Sequence, residues 1–113
     1  MNPKKRTEWL IKNTEEIYQK AEQWKDKEIK ASISLTDRDF DRHGTSNTSF
    51  LFMLKSFSLR ISGARMMFWG TKDELIEIAT DFLVEITLEE SKITFLEDLG
   101  NKWYKKVILE KQE

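Results

Sequence analysis

The chain contains no cysteine. That excludes disulfide staples, thiol catalysis and cysteine-ligated zinc. A small domain without staples must be held by packing alone. There is one histidine, one proline and four glycines. A lone histidine makes no recognisable zinc constellation, so no metal is expected. None of the glycines sits in a phosphate-cradling loop, and neither a G-x-S-x-G elbow nor an H-E-x-x-H motif occurs. No apolar run approaches the ~20 residues a membrane span needs. The basic start Pro3-Lys4-Lys5-Arg6 leads into Glu8, Lys12 and Asn13 rather than an apolar stretch, which reads against a secretory signal. The expectation is a cytoplasmic protein with no cofactor and no catalytic residues.

What is present is one domain spanning residues 1–113. Hydrophobic residues make up 39%, with seven Phe and four Trp, enough for one core. Charged residues make up 35%, against the roughly 25% usual in soluble domains. The net charge is −1, so nothing draws the whole molecule toward nucleic acid. The acid is concentrated late: residues 72–113 hold 11 acidic and 6 basic side chains.

Asn2-Pro3 reads as an N-cap followed by proline at the first helical position. Trp9, Leu10, Ile17, Ala21 and Trp24 then form one helical stripe, predicting a helix to about Asp26. Residues 30–36 alternate as a strand, with Ala31, Ile33 and Leu35 on one face. Residues 37–47 read as a polar loop. Residues 49–62 form a long strand whose second half alternates, Phe57, Leu59 and Ile61 inward. Its first half, Phe50-Leu51-Phe52-Met53-Leu54, is apolar on both faces, which predicts that both are covered. Ser62-Gly63 turns the chain into a strand containing Met66, Met67, Phe68 and Trp69. Thr71 with Glu74 matches a capping box, predicting a helix over residues 72–87. Two strands, 92–99 and 102–110, are joined by Gly100-Asn101. The expected fold is α+β: an antiparallel sheet of about five strands with an N-terminal helix and a second helix, in the order α-β-β-β-α-β-β.

On that second helix Asp73, Glu77, Asp81 and Glu85 are successive i,i+4 neighbours, and Lys72 is its lone basic residue. Like charges at that spacing weaken a helix by a few tenths of a kcal/mol per pair. An acidic face kept at that cost predicts either a solvated surface or a docking face for a cationic protein partner. Asp73, Glu77, Asp81 and Glu85 are therefore the candidate partner-binding residues. The alternative site is the 37–47 loop, where Asp37, Arg38, Asp39, Asp41, Arg42 and His43 could hold an anionic small molecule or nucleotide, with His43 as acid or base. The D-x-D-x-D spacing of a calcium loop starts at Asp37, but Arg42 replaces its glycine and Thr48 its closing glutamate. Lys102-Trp103-Tyr104-Lys105-Lys106 interleaves aromatics with bases, as single-stranded nucleic-acid binders do; the overall acidity argues against it. No membrane partner is expected, and a homo-oligomer is left open.

From Met66 onward, a strand ends in Gly70-Thr71-Lys72-Asp73-Glu74-Leu75. Ile78-Ala79 and Phe82-Leu83 follow, and then a hairpin that closes on Val107-Ile108-Leu109. This pattern resembles that of small α+β immunity proteins of bacterial polymorphic-toxin systems over roughly residues 66–110. The resemblance implies stoichiometric blocking of a toxin. Many such toxins are cationic nucleases, which would suit an acidic helix. The expected function is thus a non-enzymatic protein that inhibits or neutralises a partner protein.

Overall fold

The computed structural model describes residues 2–36 and 46–113, and only the backbone of Ser46 and Ile61. Its first element is set as the sequence dictates. Asn2 Oδ1 accepts a hydrogen bond from the Lys5 amide at 2.8 Å, and Pro3 starts the helix α1 (Pro3–Trp24). Thr14, Ile17, Ala21 and Trp24 are the residues it buries. The helix stops where Asp26 takes a positive φ of 65°. No described helix is long and apolar enough to cross a membrane.

Among the described residues everything else regular, apart from two 3-10 turns, is strand. These are β1 (Glu28–Thr36), β2 (Ser46–Arg60), β3 (Arg65–Gly70), β4 (Leu75–Ala79), β5 (Leu83–Leu88), β6 (Lys92–Gly100) and β7 (Trp103–Lys111). They form one antiparallel sheet in the order β4-β3-β2-β1-β7-β6-β5.

Chain connectivity forces this sheet to curl. β4 and β5 are its two edges, yet only the 3-10 turn Thr80–Phe82 lies between them. Six strand spacings in a flat sheet would separate the edges by about 29 Å. The four residue steps from Ala79 to Leu83 span at most about 14 Å. The sheet is therefore a half-barrel, drawn together at the end where that turn sits. Ring contacts show the same closure. Phe68 of β3 and Phe95 of β6 lie four strands apart, but their centroids are 5.9 Å apart across the interior. Phe57 continues the stack at 4.7 Å from Phe68, and Tyr18 of α1 meets Phe57 edge-on at 4.8 Å. The helix lies on the concave side, with Ile17, Ala21 and Trp24 joining the inward residues of the strands in one core.

The expected five-stranded sheet with two helices is overturned, because residues 72–87 form no α-helix. Their place is taken by a hairpin loop, β4, the Thr80–Phe82 turn and β5. Ile76 and Ile78 alternate into the core as strand residues, whereas Leu75 and Phe82 are exposed. Short apolar runs fit both periods, and β-branched Ile and Val fit a pleated sheet better. The run of acids that would have cost a helix stability is the contrary signal. Thr71 and Glu74 serve the loop instead. Asp73 adopts φ 64°, and the Glu74 carboxylate accepts from the Lys72 amide at 2.9 Å.

Gly70 is packed against that same carboxylate, so an added Cβ would collide with it. Gly70→Ala is expected to lower stability by roughly 1–2 kcal/mol. Glu74→Ala added to it should cost less than the two single changes summed, because the obstacle is then gone. Urea unfolding of the three variants checks this. Strict additivity would mean that the two residues do not compete for the space.

Candidate functional site: the outer face of the half-barrel

The four acidic residues expected on one helical face do not share a surface. Asp73 is in the β3–β4 loop, Glu77 in the middle of β4, Asp81 in the Thr80–Phe82 turn and Glu85 on β5 at the opposite sheet edge. Nor is the charge of Glu77 uncompensated. Glu77 Oε2 lies 3.5 Å from Arg65 Nε on the neighbouring strand, with both side chains about half exposed. The reason is the change of period. Helical i,i+4 spacing aligns these residues, while a strand, a turn and a second strand scatter them. The alternative-site residues Asp37, Arg38, Asp39, Asp41, Arg42 and His43 lie outside the described residues. Among the described residues no cluster of His, Asp and Glu is placed to hold a metal.

The basic-aromatic run is divided by strand alternation. Lys105 points to the inner side in phase with buried Val107 and Leu109, and Lys106 to the outer side. The Lys105 ammonium is committed to Glu97 at 3.4 Å. No row of alternating rings and cations results.

The unusual surface is the convex face of β2, β3 and β4. Along β2, Phe52 and Leu54 are buried, while Leu51 is 54% and Met53 40% exposed on the other face. Among the described residues the expectation that both faces are covered therefore fails, since α1 covers the concave side alone. On β3, Met66 and Phe68 are buried, and Met67 and Trp69 stand half-buried on the convex side. Trp69 is directly opposite Leu75 of β4, which is 38% exposed, and opposite Ser56 of β2. Met53 lies in the next row, its carbonyl accepting from the Thr71 amide at 2.9 Å. Leu51, Met53, Met67, Trp69 and Leu75 thus form one apolar ridge. Two of the four predicted acids, Asp73 and Glu77, flank Leu75 and Met67 at its rim. Arg65 and Lys72 stand at the same edge. Asp81 and Glu85 do not belong to this face.

One buried group escaped the sequence reading. Glu97 of β6 is only 2% exposed. Its Oε1 accepts the Ala79 amide at 3.1 Å, and Oε2 faces Lys105 Nζ at 3.4 Å without a further hydrogen bond. Ala79 is on β4, five strands away in the sheet order. The carboxylate takes up an N–H on the open side of the edge strand β4, where no described strand pairs with it, so Glu97 fastens the half-barrel where its two edges approach. The signal is present in the sequence. Glu97 continues the inward alternation of Ile93 and Phe95, and the register of the β6–β7 hairpin places it opposite Lys105.

No family model matches this chain, and no curated protein matches it. Among solved structures, the chain is similar to the crystal structure of the Bacillus subtilis YojF protein, with a TM-score of 0.63 and 15% sequence identity. The match covers 87% of this chain and 89% of that one. The likeness is one of fold.

Proposed function

We propose that this protein is a non-enzymatic binding module that inhibits or neutralises a protein partner, docking through the convex face of β2, β3 and β4. The supporting observation is the exposed side of β2. Leu51 and Met53 belong to a segment apolar on both faces, and the described residues bury only one of those faces. Beside them Trp69 and Met67 are of the residue types enriched at the centres of protein interfaces. At the rim Asp73 and Glu77 stand beside Lys72 and Arg65, a mixed polar margin that suits complementary charges on a partner, where exposed charges act mainly on association rate. An immunity-type role is the more specific form of this reading. The resemblance behind it runs through a helix whose place strands take, so the support rests on the apolar face.

Met53→Lys combined with Leu75→Lys is expected to leave Tm within a few degrees, since both side chains are already well exposed. A partner captured near-stoichiometrically from the native cell by the wild-type chain should be lost to this variant. Equal recovery by both proteins, or none by the wild type, would refute the reading. Sedimentation of the pure protein identifies the case in which a second copy of the chain is itself the partner.

The scattering of the acids gives a separate test. Glu77→Gln should slow association with the captured partner at low ionic strength, while Asp81→Asn and Glu85→Gln should not. Stopped-flow association rates against salt distinguish them. Equal slowing by all three would place the contact somewhere other than this face.

A further inference from the structure

A groove of about 390 Å³ opens between the N-terminal half of α1 and the end of the half-barrel. Its helical wall is the stripe Thr7, Leu10, Ile11 and Thr14, at positions i, i+3, i+4 and i+7. The opposite wall is Leu59, Arg60 and Ala64, closed by Thr80 and Asp81. The volume lies in the range of small-molecule sites, and a mostly apolar lining with few polar groups is their usual character. The frame is tied from both sides at one residue. The Thr80 amide donates to the Ala64 carbonyl at 2.9 Å, and the Thr80 carbonyl accepts from Arg6 Nη2 at 2.6 Å. The turn that closes the groove is thus tied at Thr80 both to the strand side and to the helix.

Two features of the lining are unspent. Ile11 is 55% exposed in the middle of an otherwise folded helix face. Thr14 is only 7% exposed, yet its hydroxyl has no hydrogen-bond partner. Buried hydroxyls nearly always find a partner, and a helical threonine ordinarily has the carbonyl four residues earlier within reach. The charges around the groove are unequal. Arg60 and Asp81 line it, and Arg6, just outside the lining, adds a second cation there: it gives one donor to the Thr80 carbonyl and lies over the Trp9 ring at 5.6 Å, with further N–H donors left over.

We infer that this groove is a binding site for a small monocarboxylate with an apolar body. The body lies along Leu10, Ile11 and Leu59. The carboxylate is held by Arg60 at the rim, with Arg6 adding to the positive potential. The Thr14 hydroxyl gains a partner when the site is filled, either from the ligand or from a water that the ligand retains. The groove is on the helix side and the docking face on the convex side, so either reading stands or falls without the other.

Octanoate, octylamine and octanol share one chain and differ in the head group, so they separate the contributions. Titration calorimetry and thermal shift with the full chain should show octanoate binding, with octanol weaker and octylamine weakest. Arg60→Gln, at an exposed position, should weaken octanoate about tenfold, the scale of one charge-assisted hydrogen bond, and leave octanol unchanged. Ile11→Glu should abolish octanoate binding while the free protein keeps its Tm. Thr14→Val should hold or raise the Tm of the free protein, because it removes an unsatisfied buried hydroxyl, and should weaken octanoate. A merely structural threonine would leave octanoate affinity unmoved. No octanoate binding, or octylamine binding equal to or tighter than octanoate, overturns the assignment.

Discussion

Phe68→Ala is expected to cost about 3–5 kcal/mol of unfolding free energy. Phe68 is among the largest fully buried side chains, and its ring sits between Phe57 at 4.7 Å and Phe95 at 5.9 Å. Those two neighbours come from strands on opposite sides of the curl, so no small local shift can refill the space. Domains of this size have only about 5–15 kcal/mol in total. The variant should therefore stand close to unfolding, with a urea midpoint far below that of the wild type. Leu51→Ala, on the convex face, is the control and should move stability by less than about 0.5 kcal/mol. A Phe68→Ala cost under about 1.5 kcal/mol would mean that the interior is looser than the ring stack implies.

Glu97→Ala is expected to cost roughly 2–3 kcal/mol. It removes the acceptor of the Ala79 amide and the partner of Lys105 together. The figure is set below the roughly 3–5 kcal/mol of a fully buried broken pair, because the Lys105 side chain keeps 29% exposure and can be hydrated. Glu97→Gln retains an amide oxygen for Ala79 and should lose only about 1 kcal/mol. The effect should also be local. Hydrogen exchange at Ala79 and along β4 should quicken in the alanine variant more than exchange in β1 or β7, the centre of the sheet. Uniform quickening across all strands would show that Glu97 acts on the whole fold and does not fasten one edge.

Several elements are legible in the amino-acid sequence because their causes are local. Asn2-Pro3 starts a helix through one side-chain oxygen and one missing amide. Gly100 and Asn101 turn β6 into β7 at positive φ, 89° and 53°. The alternation of Met66 and Phe68 against Met67 and Trp69 sorts β3 into two faces. The candidate site is half legible. Asp73 and Glu77 stand out by their charge, and residues 50–54 are plainly apolar on both faces. That pattern reads as burial on both sides, however, and not as a face left open.

What the sequence determined by itself was whatever a few neighbouring residues decide: the first helix, the β2–β3 and β6–β7 hairpins, and a cysteine-free chain that must be stabilised by packing. What tertiary structure decided was the state of residues 72–88, which satisfy the helical and the strand periods alike. Neighbouring β3 and β6 resolve that ambiguity by offering backbone partners to β4 and β5. Pairing of β1 with β7 joins Ile29 to Lys111, and the three-residue turn between β4 and β5 draws the two sheet edges together. The β1–β7 pairing and the closure of the edges bring together residues far apart in the chain, and local propensity holds no information about them, because their free energy comes from a core that exists only once the sheet has curled.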